Sequence, residues 1–338
     1  MISSISRLEW GEYNGENVYL YKISQPNGSF VEVTNFGARI VSICVPDRYG
    51  KIQNVVLGFD SLQAYLQDTC YLGATLGRVA NRIRDGKFFL NGEEYILEQN
   101  DGPNSNHSGS SGLHNQVFEC EMKSGNLRLS YDSIAGQGGF PGTVNVVVSY
   151  DFSCENVLSV RYEGNSDSAT PLDMSNHTYF NLSGQSSKIL DHHLSIPSVN
   201  TLEMGPDYIP TGKINYKARH VFYGQQINAV LNQNAIKGLN SYYVFSNKLD
   251  KHPILLSHYP SGRFLEITTS SPGVMLYTGD YLTTTSKGHF GEFYAPYNGL
   301  CLECHSYPNS VNLPEFPSII LDSQRRYNEY VVMKFYCL

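Results

Sequence analysis

Apolar and polar residues alternate with a period of two along most of the chain, in short runs separated by turn residues. Such alternation marks β-strands with one buried face. Glu16–Lys22 and Phe30–Val33 bracket a Pro26-Asn27-Gly28 turn, and Ile40–Val45 and Asn54–Gly58 follow. Lys87–Leu97 reads as a hairpin because Asn91-Gly92 sits between two alternating runs, and Asn-Gly supplies the positive φ angles of a tight hairpin turn. Leu127–Tyr131 is expected to pair with Asn145–Tyr150, and Val157–Tyr162, Phe264–Thr269, Val274–Thr278 and Tyr330–Tyr336 complete the pattern. Only Ser61–Gln67, with Ser61 as cap, and Ile227–Asn232 read as helix. At least fifteen short strands against two weak helices predict an all-β fold, a large β-sandwich closed as one domain over residues 1–338.

Four segments place polar groups where that pattern calls for apolar ones. Leu300–Cys304 reads as a strand with Leu300, Leu302 and Cys304 on one face and Cys301, Glu303 and His305 on the other. Carboxylates are rarely buried without a partner or a purpose. Glu303 is therefore either an edge-strand glutamate in solvent or, facing a cleft, a base. Gly77–Ile83 alternates but carries Arg78, Asn81 and Arg82. Asn100–Gly112 is a polar loop containing His107, and long polar loops after well-specified hairpins often carry function. His177 lies in Ser175-Asn176-His177-Thr178-Tyr179-Phe180-Asn181. Each has a plain structural alternative: Arg82 as a surface ion-pair partner, His107 as an ordinary loop residue, His177 as a core histidine pinning a turn.

Charge and composition narrow the function. The net charge of −7 advertises no basic surface, which argues against nucleic acid as a partner. No stretch approaches the length of a membrane span, and Met1–Trp10 lacks the apolar segment of a signal peptide. Seven cysteines without a framework then read as free thiols of a cytoplasmic protein. No His/Cys/Asp set has metal-ligand spacing, no glycine-rich phosphate loop precedes a helix, and no nucleophile elbow appears, so neither metal nor cofactor is expected.

Together these segments resemble the aldose 1-epimerase family, also called galactose mutarotases. The family's segment ending Asn-Arg-Ile is similar to Gly77–Ile83, and its Phe-x-Leu-x-Gly-x-x-Tyr hairpin to Phe88–Tyr95. The loop ending at a histidine is similar to Asn100–His107, and Asn-His-x-Tyr-Phe-Asn-Leu matches Asn176–Leu182 residue for residue. Tyr277–Gly279, Leu302-Glu303, Pro308, Asn312 and Phe316-Pro317 continue the resemblance in order, from about Trp10 to Tyr336. The resemblance implies a β-sandwich of the galactose mutarotase type (a supersandwich) with an open sugar cleft and no cofactor. It implies Glu303 as general base, His177 as general acid, His107 as a second histidine at the ring, and Asn81 and Arg82 as sugar-binding residues. It further implies a small-molecule sugar as the partner, neither nucleic acid nor a membrane, and a monomer, with a weak dimer as the alternative.

The chain departs from the family pattern around the sugar. Asn240 stands where the family has an aspartate on sugar hydroxyls, and Met275 where it has a glutamine. Both are expected at substrate-binding positions. Three functions then compete: an aldose 1-epimerase acting on a free aldohexose, a related isomerase acting on a different ring, and a carbohydrate-binding protein with weakened turnover.

Overall fold

A computed structural model describes residues 3–123, 125–216, 220–245 and 253–338. The expected hairpin is present as Lys87–Leu90 paired with Glu93–Ile96, and both turn residues, Asn91 and Gly92, have positive φ. Leu127 pairs with Tyr150 and Tyr131 with Val146, in the register that the alternation requires. The helices are short, Leu62–Leu66 and Ile227–Gln233, and the Ser61 side chain accepts the Ala64 N–H at the first of them.

Among the described residues, three large sheets accompany four two-stranded ones. A five-stranded meander takes the first strands in chain order, from Ser4–Tyr13 to Ile52–Asn54. A nine-stranded sheet runs from the edge strand Glu119–Lys123 through Val157–Ser166 to Tyr327–Cys337, and on through Arg263–Thr269 to Tyr223–Gln226. Its middle is non-local, because the last strand of the chain lies between Val157–Ser166 and Arg263–Thr269. A six-stranded sheet has the order Tyr179–Phe180, Leu300–Cys304, Gly273–Tyr277, Asn240–Val244, Asn200–Met204, Pro210–Asn215.

One apolar cluster is shared by all three sheets. It holds Ile23, Val33 and Ile43 from the meander, and Leu129, Val148, Val160, Leu265 and Phe335 from the large sheet. Val274, Leu276, Leu300, Leu302 and Cys304 join it from the six-stranded sheet. Strand parity then decides the other face. With Leu300, Leu302 and Cys304 committed to this core, Cys301 and Glu303 must point away from it. The opposite face of the six-stranded sheet is where polar groups collect.

Candidate active site

Two short pairings bring distant segments to that face. Tyr179 pairs with Cys301 and Phe180 with Leu300. The same antiparallel register, extended by two residues, sets His177 opposite Glu303. The main chain of His177 is fixed on both sides, its N–H donating to the Ala74 carbonyl at 2.9 Å and its carbonyl accepting the Gly73 N–H at 3.1 Å. Arg82–Ile83 pairs with Ser105–Asn106, which places Asn81, Arg82 and His107 together. His107 donates its main-chain N–H to the Asn81 carbonyl at 3.1 Å and accepts the Asn81 N–H on Nδ1 at 3.0 Å.

These residues line a cavity of about 390 Å³. Its walls include Glu303, His177, His107, Asn81, Arg82 and Asn240. Met275 is not among the lining residues. It is opposite Glu303 in the strand register, but it is 1 % exposed and belongs to a cluster with Tyr242 and Phe316. Met275, expected at a substrate-binding position, thus packs behind the described lining residues. Its place is beside the carboxylate, where cross-strand neighbours contact one another, and it supplies apolar surroundings.

The electrostatics follow from burial. Glu303 is 3 % exposed, and its Oε2 has no hydrogen-bond partner among the described residues. Desolvation raises its pKa from 4.5 to about 8, opposed only by the charge of Arg82. Desolvation also lowers His177 from 6.5 to about 3 and pushes His107 well below its ordinary value. His177 Nε2 stands 3.7 Å from Glu303 Oε1, close but beyond hydrogen-bonding distance. At neutral pH the pair carries one proton, on the carboxyl group. Because Nδ1 of His107 accepts an N–H, the neutral ring carries its proton on Nε2 and offers a donor.

Arg82 both forms an ion pair and lines the cavity. Its Nε donates to Asp101 Oδ2 at 2.6 Å, and the guanidinium lies 5.2 Å from the Tyr208 ring centre while lining the cavity. Among the described residues it is the only Lys or Arg in the lining. The sequence reading missed Tyr71, Asp101, Tyr208 and Tyr281, which also line the cavity. Asp101 lies in the polar loop already singled out, and that was the available signal. The tyrosines carried none.

Ligand atoms of His107, His177 and Glu303 lie within 4.8 Å of one another, near enough to share a metal ion. The N–H bonded to His107 Nδ1 leaves that ring a donor on Nε2, which suits an oxygen of a substrate better than a cation. A second group, Asp191, His192 and His258, is internally satisfied. His192 Nε2 accepts the Leu182 N–H at 2.9 Å, so its Nδ1–H donates to Asp191 Oδ1 at 3.0 Å.

A sequence profile of the aldose 1-epimerase family matches residues 19–334. The chain is 37 % identical over 310 residues to the galactose mutarotase of Bos taurus, covering 90 % of each chain. It is 34 % identical to the galactose mutarotase of Homo sapiens, covering 99 % of each, and 30 % identical to the aldose 1-epimerase of Haemophilus influenzae, covering 95 % of this chain and 97 % of that one. The crystal structure of an aldose epimerase homologue from C. elegans superposes with a TM-score of 0.88 at 26 % identity, covering 99 % of both chains.

Proposed function

The chain belongs to the aldose 1-epimerase family, and we propose that it interconverts the α and β anomers of a free aldohexose, galactose and glucose first, with Glu303 and His177 as the proton-transfer pair. The observation that carries this assignment of roles is the strand register that sets the two groups face to face in one cavity, 3.7 Å apart.

Mutarotation needs little more. A base takes the proton from the anomeric hydroxyl O1 as an acid protonates the ring oxygen O5. The C1–O5 bond breaks to give the open aldehyde, C1–C2 rotates, and the ring recloses on the other face with the proton transfers reversed. In the forward step Glu303 is the base and His177 the acid. The reacting state, carboxylate with imidazolium, has the same number of protons as the resting state, so it is reached by moving one proton within the pair. His107 Nε2–H and Arg82 stabilise oxygens that gain negative charge.

The cavity favours an uncharged sugar. Among the described residues the lining cation, Arg82, is already paired with Asp101, which favours a neutral ligand over a phosphate. Asn240, in the lining, offers a hydroxyl partner without charge. The seven free cysteines favour a reducing, cytoplasmic setting. Among the described residues no helix is long and apolar enough to cross a membrane. We read residues 1–338 as one domain acting as a monomer.

Polarimetry of freshly dissolved α-D-glucose, α-D-galactose and α-D-xylose tests the reading. Faster approach to anomeric equilibrium for a hexose is expected. Acceleration of the pentose alone would show a 1-epimerase of altered preference, and no acceleration of any of the three would favour a related isomerase of a different ring. Binding without acceleration would favour a carbohydrate-binding role.

A further inference from the structure

A single strand addresses both nitrogens of the His177 ring. Cys301 and Glu303 are two residues apart on Leu300–Cys304 and share its cavity-side face. Glu303 Oε1 faces Nε2, while Cys301 Sγ lies 3.4 Å from Nδ1, a normal separation for an N–H···S hydrogen bond. Aromatic rings pack beside the cavity-lining imidazole. Tyr179, paired directly with Cys301, has its centre 5.0 Å away, and Tyr71 lies at 5.8 Å. Cys301 is fully buried, and desolvation together with the charge of Glu303 raises its thiol pKa, so the sulfur remains a neutral thiol.

We propose that Cys301 is a positioning residue for His177: its sulfur accepts the Nδ1–H, which leaves Nε2 as the one nitrogen that exchanges a proton with the sugar. The inference rests on the proposed acid role of His177. It explains why an uncharged partner stands at Nδ1. A carboxylate there would fix the same tautomer but would stabilise the imidazolium and weaken it as an acid. A neutral sulfur, a weak acceptor, orients the ring without that charge. The depressed His177 pKa agrees with such surroundings.

The test combines Cys301→Ala and Cys301→Ser with ¹⁵N NMR of the histidine ring nitrogens, assigned by comparison with His177→Asn. In the native protein Nδ1 is expected to be protonated and Nε2 not. In Cys301→Ala both shifts should move toward those of a ring exchanging tautomers, and kcat should fall on the order of tenfold to a hundredfold with KM nearly unchanged. Cys301→Ser should restore the native tautomer and most of kcat. Its acid-side limb should move to higher pH, because oxygen is the stronger acceptor. Native shifts and native kcat in Cys301→Ala would overturn the proposal. If that variant does not fold, a serine variant with unchanged shifts and an unchanged pH profile overturns it instead. Failure of the underlying reading looks different: His177→Asn would then retain turnover, while the ring shifts would still report on Cys301.

Discussion

Replacing Glu303 with glutamine should lower kcat by about 10²–10⁴-fold and make the protein more stable, by an amount that grows with pH. The carboxyl is buried, lacks a partner on Oε2, and has its pKa raised from 4.5 to about 8. Between those values the unfolded chain has released the proton and the native protein still holds it. Stability therefore falls as pH rises, with a slope of about 1.4 kcal/mol per pH unit, from the ordinary carboxyl pKa up to the raised one. At pH 7 the penalty is about 3 kcal/mol, and above the raised pKa it levels off near 5 kcal/mol. Glutamine has the shape of the protonated acid and cannot ionise, so it removes this term. For 338 residues, 3 kcal/mol corresponds to a rise in Tm of about 4 °C. The assay is denaturant unfolding of both proteins at pH 5, 6, 7 and 8, with the m-value checked for constancy. The difference should be small at pH 5 and widen steadily. A difference independent of pH, or a variant less stable than the native protein at pH 8, would refute the assignment of Glu303 as a desolvated carboxyl group.

The same titrations fix the shape of the rate profile. Because the Glu303–His177 pair holds one proton between about pH 3 and about pH 8, kcat/KM should be flat through neutrality and fall above pH 8 as that proton is lost, which polarimetry in buffers from pH 5 to 10 will show. Asn240→Asp places a charge in the lining and should change KM for galactose and for glucose unequally, by several-fold, consistent with about 1–3 kcal/mol for one buried hydroxyl partner. Gly73→Ala should be destabilising by more than 3 kcal/mol and should lower activity, measured by thermal melting and polarimetry. At φ +64° its Cβ would stand 1.9 Å from the Ile40 carbonyl oxygen, and Gly73 holds the main chain of His177.

Local pattern carried the strands, the Asn91-Gly92 hairpin and the two faces of Leu300–Cys304, since each depends on period and turn chemistry within a few residues. It also placed Glu303 and His177 as polar groups out of keeping with their surroundings. What it could not carry was the long-range pairing. The chain's last strand enters the middle of the large sheet through partners more than 60 residues away on one side and more than 160 on the other. The cavity tyrosines were hidden for a related reason: Tyr71, Tyr208 and Tyr281 come from loops, where neither period nor neighbours distinguish a lining ring from an exposed one. Met275 shows the converse. Its strand was legible as Val274–Thr278, but its packing with Tyr242 and Phe316, behind the described lining residues, was not.

The most direct test of the central claim, that Glu303 and His177 act as one proton-transfer unit, is a double-mutant cycle in polarimetry. Glu303→Gln, His177→Asn and the double variant are compared on the preferred hexose at pH 7. Each single change should lower kcat by about 10²–10⁴-fold, and the double variant should be within about tenfold of the worse single, because either loss already disables the pair. Losses that multiply in the double variant, or a single variant that turns over at the native rate, would contradict the account.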